Sequence, residues 1–178
     1  LRALKFLQGS KGGFHITLVD RNDYHYEATD LHEVAAGTQP AEKILYPIED
    51  VVDPDVTTFV QASVEKIDRD KQEVSLDNGE TLSYDYVIVA LGFRSESFGI
   101  SGVDENSLPM VDVKTAIAVH DHIVAQMEDY KETHNPDDLK IVVCGAGFTG
   151  IELLGALNEN RATFAEIAGV APERIEIY

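Results

Sequence analysis

Gly145, Gly147 and Gly150 stand in the run Ile141–Glu152, IVVCGAGFTGIE, as Gly-x-Gly-x-x-Gly behind an apolar strand and at the mouth of a helix. In that setting the first glycine permits a tight turn, the second lets backbone approach a pyrophosphate, and the third lets helix and strand pack closely. Phosphate charge then meets the free N–H groups and positive end of a helix beginning near Thr149. Phe148 and Thr149 lie within the turn. Glu152 follows it, and the plain reading of Glu152 is an acid stabilised by the helix dipole. Cys144, the only cysteine, reads as a small buried residue of the strand.

A second position with chemical content is Asp20, which closes the apolar run Phe14–Val19. An acid at such a strand end can accept hydrogen bonds from both hydroxyls of an adenosine ribose; the bland alternative is a solvated carboxylate. Val64 opens a strand in the same half, where it offers backbone groups to an adenine or simply packs in the core. The 6 histidines carry no ligand spacing, since His120 and His122 sit at i, i+2 on a helix and face different sides. With no cysteine partner, no metal site is expected. The acids are scattered and read as a solvated surface.

The elements that must hold these residues follow from periodicity and punctuation. Leu1, Leu4 and Leu7 give helical spacing that Gly9 and Gly12-Gly13 end, and strand Phe14–Val19 comes next. A short helix is expected over Asp30–Ala36, stopped by Gly37, with another helical piece between Pro40 and Pro47. Strands are expected over Thr57–Ala62, Val64–Asp68, Glu73–Leu76 and Thr81–Ser83, the last two joined by Asp77-Asn78-Gly79, a hairpin turn. Tyr86–Ala90 (YVIVA) reads as a central parallel strand buried on both faces. After the Gly/Ser/Pro-containing connection 93–110, Asp112 caps a long helix that His134-Asn135-Pro136 stops. Lys140–Val143 is a strand, Thr149–Asn158 a helix, and Arg174–Tyr178 the opening of another strand.

Helix then strand then acid at the start repeats the plan of strand, glycine turn and helix near the end. The fold class is therefore α/β, with two Rossmann-like dinucleotide-binding folds, both truncated. The first is expected over 1–106 without its own strand and glycine turn, the second over 107–178 without its ribose acid. The sequence is accordingly expected to be a fragment of a longer protein. Its composition sets limits on partners: 14 Lys+Arg against 32 Asp+Glu gives a net charge of −18, which disfavours nucleic acid and anionic lipid. No apolar run approaches the ~18 residues that span a bilayer.

The run Tyr84–Gly92, YDYVIVALG, ends an apolar strand in Ala90-Leu91-Gly92 and resembles the "ATG" turn of flavoproteins with two dinucleotide folds. With LRALKFLQ, LVDRND and GAGFTGIE, the whole chain resembles the pyridine-nucleotide-dependent flavin oxidoreductases. It looks most like the N-terminal half of type II NADH dehydrogenases, the non-pumping NADH:quinone oxidoreductases. Leu91 stands where that turn usually has Thr, which keeps the backbone role and puts a side-chain contact in question.

The resemblance implies FAD and NADH as cofactors. Asp20 would then bind the FAD ribose, Ala90, Leu91 and Gly92 would border FAD, and Thr29 in YHYEATDLHE would approach the flavin ring. Gly145, Gly147, Phe148, Thr149 and Gly150 would hold NADH, with Glu152 near the nicotinamide orienting it or tuning the flavin. Disulfide reductases of this fold place redox cysteines near the flavin. Residues 24–37 contain none, so electrons would leave the flavin directly for an acceptor, a quinone first of all. The other readings are a ferredoxin- or rubredoxin-type reductase and a non-catalytic NAD(H)-sensing module. The resemblance further implies a cytoplasmic protein at the inner face of the membrane, touching it peripherally through a C-terminal part beyond this chain, and it allows a homodimer.

Overall fold

A computed structural model describes residues 1–10 and 12–178, which divide into two compact units. One unit comprises Leu1–Tyr26 and Leu45–Leu91; the other comprises Glu27–Ile44 and Gly92–Tyr178.

In the first unit, helix α1 (Arg2–Gln8) precedes strand β1 (Ile16–Asp20), and β2 (Tyr24–Tyr26) pairs antiparallel with β3 (Leu45–Pro47). Strand β4 (Thr57–Gln61) returns parallel to β1, in a register that sets Ile16 opposite Thr57 and Asp20 opposite Gln61. Gln8 Nε2 on α1 donates to Thr57 Oγ1 at 3.0 Å, which ties the helix to the pair. Strands β5 (Val64–Asp68), β6 (Glu73–Leu76) and β7 (Thr81–Ser83) form an antiparallel meander over Ala62, Val74 and Leu76. Gly79 makes the tight turn at φ +85°. Asp77 closes the loop by accepting the Ser63 N–H at 2.9 Å, and that hydrogen bond holds its carboxyl below the usual carboxylate range.

The second unit holds helices α2 (Leu31–Ala36), α3 (Val103–Asn106), α4 (Val113–Thr133), α5 (Phe148–Glu159) and α6 (Arg161–Ala168). Asp112 caps α4 in a reciprocal box with Thr115: the Thr115 N–H donates to Asp112 Oδ1, and the Asp112 N–H to Thr115 Oγ1, both at 2.9 Å. His134, at φ +52°, ends it. Strands β8 (Lys140–Ile141) and β9 (Glu176–Ile177) lie parallel with α5 and α6 between them, which is a βαβ unit. Its core gathers Ala36 from α2, Met127 from α4, Leu157 from α5 and Phe164 from α6, each 0–1% exposed. Among the described residues no helix is long and apolar enough to cross a membrane.

Two expectations need correction. Tyr86–Ala90 forms no strand; Tyr86, Ile88 and Val89 are 91%, 65% and 62% exposed. Apolar composition signals a preference for burial, but a strand exists only where a neighbouring backbone completes its ladder. Among the described residues no strand lies along this one. Cys144 is likewise exposed rather than buried, because the β8–β9 ladder stops short of it. The structure also has α6, which follows α5 directly across Asn160.

Gly37 ends α2 at φ +74°, and a Cβ placed there would lie 2.3 Å from Cε1 of His120 on α4. Gly37→Ala should therefore cost about 2–4 kcal/mol, combining left-handed strain with overpacking. Gly155, inside α5 with open space around it, should gain about 1 kcal/mol as Ala. Opposite shifts of the denaturant midpoint check both.

Candidate functional site

The glycine turn lies between β8 and α5. Gly145 takes φ +115°, a backbone state that side-chain-bearing residues rarely adopt, and Gly147 caps the helix in an extended conformation. No side chain caps α5. The helical ladder starts with the Ile151 N–H on the Gly147 carbonyl at 3.0 Å, so the N–H groups ahead of it have no intrahelical acceptor. A Cβ built on Gly145 or Gly147 would meet no atom within 4 Å, whereas one on Gly150 would lie 1.9 Å from the Gly145 carbonyl oxygen. The first two glycines thus leave an open approach to the backbone, and the third lets the helix press against the turn.

Phe148 is 89% exposed at the start of α5, Thr149 is exposed beside it, and Glu152 is exposed further along the helix. Val142 and Ile151, which flank the turn in the chain, are exposed as well. Free N–H donors at a helix N-terminus suit phosphate, and neighbouring apolar surface suits a flat ring. These features fit a dinucleotide.

In the first unit, Asp20 is half-buried at the end of β1, and its Oδ1 accepts the Asn22 N–H at 2.9 Å. Its carbonyl accepts the N–H of Ala62 at 3.0 Å, so the segment leading into Val64 starts beside it. Val64 itself stands opposite Leu76 and packs partly buried against the meander core. Ala90 and Leu91 close the first unit in exposed, irregular chain, and Gly92 opens the second at φ +81°. Thr29 is exposed in a 3-10 turn ahead of α2, and its hydroxyl donates to Asp30 Oδ1 at 3.1 Å. Thr29 and the glycine turn therefore belong to one compact unit, and Asp20 and Val64 to the other.

Among the described residues no three His, Cys, Asp or Glu side chains are grouped to hold a metal ion. Sequence reasoning overlooked His120 against Gly37 and Asn160 against α2. Neither contact has a local pattern, because each joins residues far apart in the chain.

The Gly150 contact generates a direct test. Gly150→Ala must push α5 off the turn and should weaken binding of a dinucleotide phosphate there on the order of a hundredfold. Titration calorimetry, with circular dichroism confirming retained helix, checks it.

Comparison with known proteins identifies relatives of the whole chain. Type II NADH:quinone oxidoreductases of Staphylococcus saprophyticus and Staphylococcus aureus are 43% identical over 164 residues, 91% of this chain and 40% of theirs. The chain thus spans about two fifths of the length of these curated relatives. The fold matches the NDH2 of Plasmodium falciparum in complex with NADH, with a TM-score of 0.76 at 19% identity over 92% of this chain and 36% of that one. It also matches the sulfide:quinone oxidoreductase of Aquifex aeolicus, with a TM-score of 0.68 at 21% identity over 93% and 37%. The profile of the pyridine nucleotide-disulphide oxidoreductases covers residues 1–167, and the chain belongs to that family.

Proposed function

We propose that this chain supplies the FAD- and NADH-binding part of a type II NADH:quinone oxidoreductase. The observation that carries the reading is the open glycine turn at an uncapped helix start, in a chain 43% identical to enzymes of that name. FAD, when bound, would supply the chemistry for hydride uptake from a nicotinamide and electron transfer to an acceptor. The chain's own residues do the binding and orienting.

On this reading residues 1–106 serve FAD and residues 107–178 serve NADH. The N–H groups of Phe148, Thr149 and Gly150 hold the NADH pyrophosphate, while Gly145 and Gly147 keep the approach free of side chains. Glu152 holds the nicotinamide carboxamide or adds negative charge beside the flavin. Asp20 accepts hydrogen bonds from the FAD ribose, with Val64 near the adenine. Ala90, Leu91 and Gly92 border FAD through backbone, and Thr29 approaches the flavin ring. No cysteine stands in residues 24–37, which favours direct transfer to a quinone over a thiol relay. Docking at the inner face of the membrane, through parts of the protein outside this chain, and a homodimer complete the proposal.

The holoprotein tests it. Anaerobic NADH should bleach the flavin spectrum and a quinone restore it. Glu152→Gln should slow the bleaching at least about tenfold while NADH affinity stays within about threefold, since it perturbs orientation more than binding. A colourless protein, or a flavin indifferent to NADH, would refute the assignment; NADH binding without flavin reduction would indicate a sensor.

A further inference from the structure

Helix α5 carries the glycine turn at one end and Asn160 at the other. Asn160 Nδ2 donates to the carbonyl oxygen of Ala36 at 2.8 Å, across 124 residues of sequence. Ala36 is the last residue of α2, and its carbonyl lies in the turn where helical acceptors run out of intrahelical donors. His120 of α4 lies against the next residue: a Cβ at Gly37 would sit 2.3 Å from its Cε1 and 3.1 Å from Asn160 Nδ2. Gly37 is thus held between a ring on α4 and an amide at the end of α5. All of this lies within one compact unit.

Apolar residues also meet where α2 packs on α5. Ala36, Ala156 and Leu157 belong to one buried cluster. Small side chains and non-directional attraction fix the separation of two helices better than they fix sliding of one past the other. A hydrogen bond weakens steeply away from its preferred geometry and so sets the register. Asn160 is the one side chain, among the described residues, that makes a hydrogen bond between α2 and the α5–α6 corner. Its backbone is engaged separately: its N–H donates to the Ala156 carbonyl at 3.0 Å, and its carbonyl accepts the Thr163 N–H at 3.0 Å. The amide is therefore free to serve the tie to α2.

Immediately ahead of α2 stands the turn that carries Thr29. We propose that Asn160, with His120 seated on Gly37, is a positioning residue for hydride transfer, fixing the Thr29 segment on the flavin side relative to the nicotinamide-binding start of α5. This rests on the NADH:quinone oxidoreductase reading above. Asn160 stands at the C-terminal end of α5, opposite the glycine turn. Its effect passes along α5, a rod about 18 Å long, and through the short helix α2. Near-attack geometry tolerates little error, and a displacement of about 1 Å can cost on the order of a hundredfold in rate.

The test uses the FAD-loaded holoprotein with Asn160→Ala and Asn160→Asp. Alanine removes the donor, and aspartate keeps size and turn preference but presents a charged acceptor to the Ala36 carbonyl. Anaerobic stopped-flow should show flavin reduction per bound FAD slowed about tenfold, with NADH affinity within about threefold and FAD content unchanged. Amide exchange at Gly37 and Thr38, whose N–H groups bond to Val34 and Glu33 carbonyls, should rise about tenfold in both variants without NADH, since those amides sit on the segment released. Unchanged reduction per flavin, or unchanged exchange, overturns the proposal, as does a rate loss that merely tracks lost FAD. If one variant fails to fold, the other decides. Wild-type flavin that NADH does not bleach overturns the oxidoreductase assignment, and the positioning role with it.

Discussion

The contact between Gly150 and the Gly145 carbonyl governs the second unit. A Cβ at Gly150 would lie 1.9 Å from that oxygen, so the helix can start where it does only because that atom is missing. From this one close approach the remaining features follow. The turn must fold back sharply, which puts Gly145 at φ +115°. Helix α5 begins at Gly147, which has no side chain to cap it, so its first N–H groups lack intrahelical acceptors. The apolar inner face of α5 then meets α2, α4 and α6 in a core centred on Met127, Leu157 and Phe164.

The site was legible in the sequence wherever function imposes a local backbone rule. Three glycines at fixed spacing behind an apolar run identify a turn, in which Gly145 takes a positive φ and Gly150 has no room for a Cβ. The hairpin at Asn78-Gly79 and the cap at Asp112 were readable for the same reason: their partners stand within a few residues. Asp20 was visible as an acid at a strand end, and the structure shows its oxygen engaged by the Asn22 N–H.

What the sequence hid were long-range relations. Tyr86–Ala90 has the composition of a central strand but lacks a ladder neighbour, and composition cannot supply one. Helix α6 buries Phe164, Ala165 and Ala168, and Gly169 stops it at φ +70°. The break at Asn160 hides that continuation. The same break explains why Asn160 escaped notice, since a polar residue between helices reads as punctuation until its partner at Ala36 is seen. Segment 27–44 shows the same limit, for its packing against α4 and α5 combines apolar contacts with the Asn160–Ala36 hydrogen bond, and no motif announces either.

The exposed strip from Tyr86 to Leu91 has a colloidal consequence. It is uncharged and β-prone, free of glycine and proline, the kind of segment that seeds association between copies. The surrounding surface carries a net charge of −18, and like-charged copies repel one another before such strips can meet. That protection reaches only about one Debye length, roughly 8 Å at physiological ionic strength and about 3 Å at 1 M. Strong brine therefore strips away the shield while leaving the sticky patch in place, so this polypeptide keeps best in dilute buffer.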